Sequence, residues 1–419
     1  SQLDRSEEGQ QRGTCHQGKR HTLGTVVAWQ PRNDEARGGN RVPLCTPSDS
    51  GGTQVTAANT RDRSSGSRCW LSACAFLLGW GIAAADLVPV GAEVPPPPPM
   101  AERQPLQRFA YDFVAMGMKY QILVYGPDLD TVAPAIEAAE ARVRHLDRVM
   151  SDYNTESELS QLCEHSGPGK PVRVSPELFR VLEYAQQISA ETNGAFDVTV
   201  GPVIQLWRTA RRSRKLPPRD YLTDALSHVG YKAVQLDALH QTVELTREGT
   251  SIDLGGIAAG YACDEVLQVL KSHGLPRALI DASGDLLAGD PPPGRDGWRV
   301  SVAGVNGQVA DESQAVTIAN AAVTTSGDAR QFVEIDGVRY SHIVDPKTGL
   351  GLTRRSSTTV IAPTGWQGDA YATAANVLGA EAGLLWIDTQ PGCSALVIEI
   401  QEGREVRRTT ANFPHPVKP

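Results

Sequence analysis

The chain reads as an α+β protein, with mixed, mainly antiparallel sheets flanked by helices around a single catalytic domain, and three observations carry that reading. Segments of helical and strand period follow one another without a regular βαβ alternation. After Trp298 a run of short alternating stretches, WRVSV, QAVTIAN, AAVTTSGD, FVEIDGVRYSHIVD and STTVIAP, is punctuated by Gly, Pro and Asp, as antiparallel strands are. Between the two halves, residues 252–274 (IDLGGIAAGYACDEVLQVLKSHG) join a glycine-rich bend to an apolar-striped helix.

Composition narrows the function classes. With 40% hydrophobic and 21% charged residues and a net charge of −8, the 419-residue chain suits a soluble globular protein and has no basic excess to hold nucleic acid. Its seven cysteines (15, 45, 69, 74, 163, 263 and 393) form no CxxC pair, which argues against a zinc site or a disulfide framework. Residues 1–68 are polar, aromatic-poor and without apolar period, so they are expected to form a disordered extension. The first methionine is Met100, and Ser1 is therefore not expected to be a natural start. Arg61, Arg63 and Arg68 precede the apolar run 69–85, which ends in Ala83-Ala84-Ala85. That is the grammar of a signal peptide, or of a membrane anchor if it is retained. Export follows, to the periplasm or the periplasmic face of the inner membrane. Residues 86–106 hold five consecutive prolines and read as a stiff linker, 107–405 as the catalytic domain, and 406–419 as a C-terminal tail.

Within the domain, residues 107–126 alternate as one or two strands, and 131–150 repeat Ile136, Ala139, Val143, Leu146 and Val149 at helical spacing. A helix is expected over 176–192, a hairpin over 234–245, and a strand over 249–253 leading into the glycine bend. Residues 277–285 give the next strand and turn. Residues 370–378 and 380–387 look helical, and 394–399 close the sheet. The Arg-rich stretch 208–231 reads as a solvated face that could meet a partner's acidic surface.

The bend itself suits an anion. Gly255, Gly256 and Gly260 let backbone approach a ligand and the helix behind them presents bare N–H groups, although the same pattern also serves as an ordinary connection. Two further stretches lie downstream, SHIVDPKTG at 341–349 and GDAYAT at 368–373. In this order and at these separations, the three motifs resemble those of the ApbE family of FAD:protein FMN transferases, over about residues 109–400.

The resemblance implies an ApbE-like fold and a Mg²⁺-dependent transfer of FMN from the substrate FAD to a threonine hydroxyl of a partner flavoprotein, with AMP released. The metal ligands fall on Asp369, Thr373 and the backbone carbonyl of Gly256. Four residues apart near a helix start, Asp369 and Thr373 would share one face, although the pattern alone would equally make Asp369 an N-cap and Thr373 a packed residue. The cofactor-binding residues fall on Met116, Tyr153, Ala195, Phe196, Asp197, Asp253, Ala259 and Ile343. By pattern alone Phe196 is equally a core residue, Asp197 a turn cap and Tyr153 a half-buried loop tyrosine. His342 is the candidate to organise the phosphate or deprotonate the acceptor, and with Asp369 forms the catalytic pair. Asp345 and Gly349 shape a tight turn, Lys347 offers charge, and the turn at Ser326, Gly327 and Asp328 borders the pocket.

The chain departs from the family pattern in three places. Ala259 stands where lysine or glutamate is usual, Met118 where threonine is, and Ser283 replaces the first glycine of a Gly-Gly-Asp turn, which narrows backbone freedom there. No DxxTGAT-like acceptor segment occurs in the chain, so the acceptor is expected to be another protein carrying one. Two alternatives stay open: a Mg²⁺-dependent FAD pyrophosphatase giving FMN and AMP, and a non-catalytic periplasmic flavin-binding protein.

Overall fold

The computed structural model describes residues 105–302, 304–305, 315–328 and 331–415. The expected extension, apolar leader and all but the end of the proline-rich linker lie outside the described residues. Among the described residues, no helix is long and apolar enough to cross a membrane.

The fold begins with a hairpin of β1 (Gln107–Ala115) and β2 (Met118–Gly126). Its two-residue turn places Met116 and Gly117 at φ 51° and 69°, the mirror-image turn that matches the strands' right-handed twist. Next comes α1 (Leu129–Met150), started by Asp128, whose side chain accepts the Thr131 N–H at 2.8 Å. The expected stripe of Ile136, Ala139, Val143 and Leu146 is buried, each large side chain contributing roughly 1.5–3 kcal/mol. Then follow α2 (Glu158–His165), β3 (Val172–Arg173), α3 (Pro176–Glu191), α4 (Gly201–Ser213), α5 (Arg219–Ser227), and the ribbon β4 (Val234–Asp237) with β5 (Thr242–Leu245). The central helix is α6 (Ala258–Ser272), followed by β6 (Ala278–Ala282), β7 (Asp285–Ala288), β8 (Trp298–Ser301), β9 (Ala315–Ile318) and β10 (Ala321–Gly327). The hairpin β11 (Phe332–Ile335) and β12 (Val338–Ser341) precedes β13 (Ser356–Ala362), α7 (Gly365–Leu378), α8 (Ala380–Ile387), β14 (Ser394–Gln401) and β15 (Arg404–Thr409).

Eight strands form one sheet in the order β1-β2-β6-β7-β10-β13-β14-β15, with every neighbouring pair antiparallel. One face packs on α1, α6 and α7 through residues such as Tyr120, Ile122, Ile280, Ala262 and Ala374. The other face carries Leu279, Val323, Ile361 and Ile398 against the β8–β9 ribbon, which brings Trp298 and Val316. A third apolar cluster docks β11–β12 on α4 and α5 through Val333, Ile335, Trp207 and Ala225.

Three local expectations need correction. Residues 249–253 are not a strand: Ser251 makes a single parallel bridge to Val200, because the neighbouring chain is the start of a helix rather than a strand. The expected tail from 406 begins in the sheet instead. β15 runs to Thr409, and Thr410 Oγ1 accepts the Ala395 N–H at 2.9 Å. This is an edge strand of mostly exposed, charged residues, so it carries no apolar alternation. At the turn after β6, Ser283 adopts φ 55° despite its side chain, whose Oγ accepts from Lys119 N at 3.2 Å and donates to Lys119 O at 3.1 Å.

Candidate active site

The glycine bend is pinned where it begins, at Asp253. Asp253 N–H donates to Val198 O at 2.8 Å, and Asp253 Oδ1 accepts the Gly255 N–H at 2.8 Å. The chain then enters α6 with no side-chain cap. Gly256 lies under two side chains, since a β-carbon built on it would stand 3.3 Å from both the Phe196 ring and Thr373 Oγ1. Thus Gly256, Phe196 and Thr373 meet, drawn from the bend, the segment before α4, and α7. Thr373 Oγ1 also pairs with Ser326 Oγ at 3.2 Å, which ties the end of β10 to the same point.

Helix α7 passes α6 at glycine distance. A β-carbon on Gly260 would meet Gly365 O at 2.2 Å, and one on Gly365 would meet Gly260 O at the same distance. This approach lets Asp369 Oδ2 accept the Gly260 N–H at 3.1 Å. Asp369 is not at the helix start as expected. It sits in the second turn, and the start is closed from outside by Asp264 of α6, whose carboxylate accepts Gly365 N–H at 2.7 Å and Trp366 N–H at 2.9 Å. Burial pushes the Asp264 carboxyl up to about 6 against those bonds.

Burial likewise pushes Asp369 up to about 7, with the Gly260 N–H opposing. Among the described residues no cationic side chain pairs with it. A buried carboxylate without a cationic partner, one helical turn from the Thr373 hydroxyl that lies against Gly256, lacks a positive charge that a divalent cation would supply, and these oxygen donors fit Mg²⁺. Among the described residues, no cluster of three or more His, Cys, Asp or Glu side chains is arranged to hold a metal, so such an ion would rely on substrate oxygens and water for the rest.

His342 is half-buried just after β12. Its Nδ1 lies 3.1 Å from Gln331 O, and its own N–H donates to that carbonyl at 3.0 Å. A carbonyl only accepts, so Nδ1 carries the proton and Nε2 keeps its lone pair. Burial holds the imidazole below its usual value; Gln331 O and Asp328 oppose this, and Arg211 adds to it. Asp328 is nearly fully buried and receives Arg339 Nε at 2.6 Å, while its Oδ1 has no hydrogen-bond partner among the described residues. The segment from Ser326 to Asp328 therefore runs from Thr373 to the neighbourhood of His342.

Comparison with known proteins agrees with this arrangement. The model of the ApbE family matches residues 116–397. The chain belongs to the ApbE family. It is 33% identical over 281 residues to the FAD:protein FMN transferase of Treponema pallidum, covering 64% of this chain and 77% of that protein. It is 28% identical to the enzyme of the same name from Haemophilus influenzae, over 71% of this chain and 88% of the relative. Among solved structures, the flavin transferase ApbE from Vibrio cholerae superposes with a TM-score of 0.67 at 26% identity, over 74% of this chain and 99% of that one. An ApbE protein from Thermotoga maritima gives 0.65 at 29% identity, over 73% and 98%.

The other residues that ApbE resemblance singles out divide into two groups. Met116 lies in the first hairpin turn, where its N–H donates to Asp147 Oδ2 at 3.2 Å and its Sδ accepts the Tyr120 hydroxyl at 3.4 Å. Tyr153 is 78% exposed on the loop after α1. Ala259 is buried in the first turn of α6, and Ile343 is buried beside His342 with its N–H on Ser341 Oγ at 3.1 Å. Ala195 and Phe196 are buried, Phe196 within the main core, so the core alternative holds for it even as its ring edge faces Gly256. Asp197 caps a turn. Its Oδ1 accepts Thr199 N–H and hydroxyl at 2.8 and 2.6 Å, and its Oδ2 accepts Tyr231 N–H at 2.8 Å. The two Thr199 bonds close its own turn, as the turn-cap reading expects, and the Tyr231 bond ties that turn to the segment before β4.

Likewise, the SHIVDPKTG loop closes on itself. Asp345 Oδ1 accepts Lys347 N–H at 2.9 Å, Gly349 N–H returns to Asp345 O at 2.8 Å, and Trp207 Nε1 donates to Gly349 O at 2.7 Å. Gly349 needs its φ of 68°, and its position against Leu222 leaves no room for a side chain. Lys347 is exposed. One residue escaped the sequence reading: Arg208 of α4, assigned to a solvated face, is 15% exposed at its side chain and bonds both Asp152 and Asp253. Its partners lie 56 and 45 residues away, so no local pattern announces them.

Proposed function

We propose that the protein is a Mg²⁺-dependent FAD:protein FMN transferase of the exported kind, modifying a threonine in a DxxTGAT-like segment of a partner flavoprotein. The observation that carries the reading is that Asp369 and Thr373, one turn apart on α7, meet the Gly260 N–H and Gly256 respectively, with Asp369 buried and unpaired by any cationic side chain among the described residues.

In this reading Asp369, Thr373 and Gly256 O hold the metal, which when bound would neutralise charge on the pyrophosphate. The glycine bend presents backbone to the phosphates ahead of an α6 start whose N-cap makes no side-chain hydrogen bond. His342 Nε2 takes the proton of the acceptor hydroxyl as its oxygen bonds to the FMN phosphorus. The pyrophosphate bond breaks, and AMP leaves with the bridging oxygen. Burial serves this role, because an imidazole held below its usual value is neutral and ready to accept a proton at pH 7. Export would place the enzyme on the periplasmic side, by way of residues 69–85.

The test is mass spectrometry of an acceptor protein carrying an exposed DxxTGAT segment, incubated with the enzyme, FAD and Mg²⁺. An FMN-sized gain on the threonine, abolished by Asp369→Asn or by chelation, is the expected result. Intact FAD bound without any product would instead support a flavin-binding protein.

A further inference from the structure

Arg208 has no part in the chemistry above, yet its guanidinium meets three side chains. Nη2 donates to Asp152 Oδ2, just beyond α1, and to Asp253 Oδ2 at 3.0 Å, where the chain enters the glycine bend. The guanidinium carbon also lies 4.0 Å from the centroid of the Tyr153 ring. Three segments distant in sequence thus meet on one side chain. A tyrosine so exposed, with one face laid on a guanidinium, is a held platform rather than a free rotor. Two carboxylates against one cation leave this place without positive charge to offer a phosphate. A flat, uncharged ring suits it better, and a dinucleotide such as FAD has one at each end.

We propose that Arg208 is a positioning residue for a planar ring of the dinucleotide. It holds Tyr153 as the stacking surface and couples that surface, through Asp253 and the Gly255 N–H, to the bend that receives the phosphates. The inference rests on FAD being the substrate, as proposed above. The spacing between ring and pyrophosphate would then be set by one side chain that touches neither.

The experiment compares the wild-type full chain with R208M, R208K, Y153A and the R208M/Y153A double variant. FAD affinity is measured by equilibrium dialysis, with FMN and ADP as separate probes of the flavin and adenine ends. R208M and Y153A are each expected to weaken FAD binding roughly tenfold, the size of one lost ring stack, and the double variant to be no weaker than either. R208K should behave as R208M, because an ammonium can still donate to both carboxylates but has no flat face to lay under the ring. Loss of FMN fluorescence quenching in these variants identifies the isoalloxazine as the stacked ring, and loss of ADP affinity identifies the adenine; either supports the inference. Wild-type FAD affinity in R208M, with or without a lower melting midpoint, overturns it, as does full additivity of the two single effects. A wild-type chain that binds no FAD would overturn the underlying reading instead, which is a separate result.

Discussion

Asp369 Oδ2 accepts the backbone N–H of Gly260 at 3.1 Å, and it can do so only because α6 and α7 cross where Gly260 and Gly365 leave no β-carbons between them. The same crossing buries the carboxylate against the first turn of α6, one turn of α7 before the Thr373 that meets Gly256. Helix packing and site chemistry are therefore one geometry. Gly260→Ala would drive a methyl into Gly365 O and toward Asp369, and backbone cannot yield as a flexible side chain can. A stability loss of about 1–3 kcal/mol is expected, read as a lower urea midpoint at unchanged slope, together with a fall in activity.

Asp369→Asn keeps the shape and an acceptor for Gly260 while removing the charge. The wild-type melting midpoint should rise on adding Mg²⁺, by the equivalent of about 2.7 kcal/mol at a hundredfold excess over Kd. The variant should show no such rise. Equal stabilisation of both proteins would place the metal elsewhere.

His342 predicts the acid limb of the pH profile. Since burial lowers its pKa below 6.5, kcat/KM should climb through an apparent value under 6.5 and be level at neutral pH. His342→Gln should lower turnover by about 10²–10⁴ and abolish that limb. An unaltered limb in the variant would assign the proton to another group.

Asp264 gives a stability signal with a definite sign. Its folded pKa of about 6 exceeds its ordinary 3.8, so the folded state binds the proton more tightly. This contribution is fully present below about 3.8 and is lost as pH rises through about 6. Asp264→Asn keeps one of the two accepting oxygens, so it should cost about 1 kcal/mol for the one lost bond and flatten the urea midpoint over that pH range. A variant with the wild-type slope would contradict the assignment.

Much of the fold was legible because its signals are local. The β1–β2 alternation, the stripe of α1, and the strands β13 and β14 each follow from residue period alone. Helices α4 and α5 were not legible, since their apolar faces bury only against β11–β12, and the Arg-rich surface dominates the sequence between them. Within the site, Gly256, Thr373 and His342 came from motif order. Asp197 had two readings because an aspartate beside a nucleotide motif looks the same whether it serves a ligand or a turn, and the structure shows its Thr199 turn. Arg208 was missed because its three partners assemble only in the folded chain.

The central claim is that FMN passes to a protein hydroxyl rather than to water, and AMP release measured with and without the acceptor protein tests it most directly. The account predicts one AMP per modified threonine and essentially none when the acceptor is absent. AMP released at the same rate without acceptor would contradict it and make the protein a FAD pyrophosphatase.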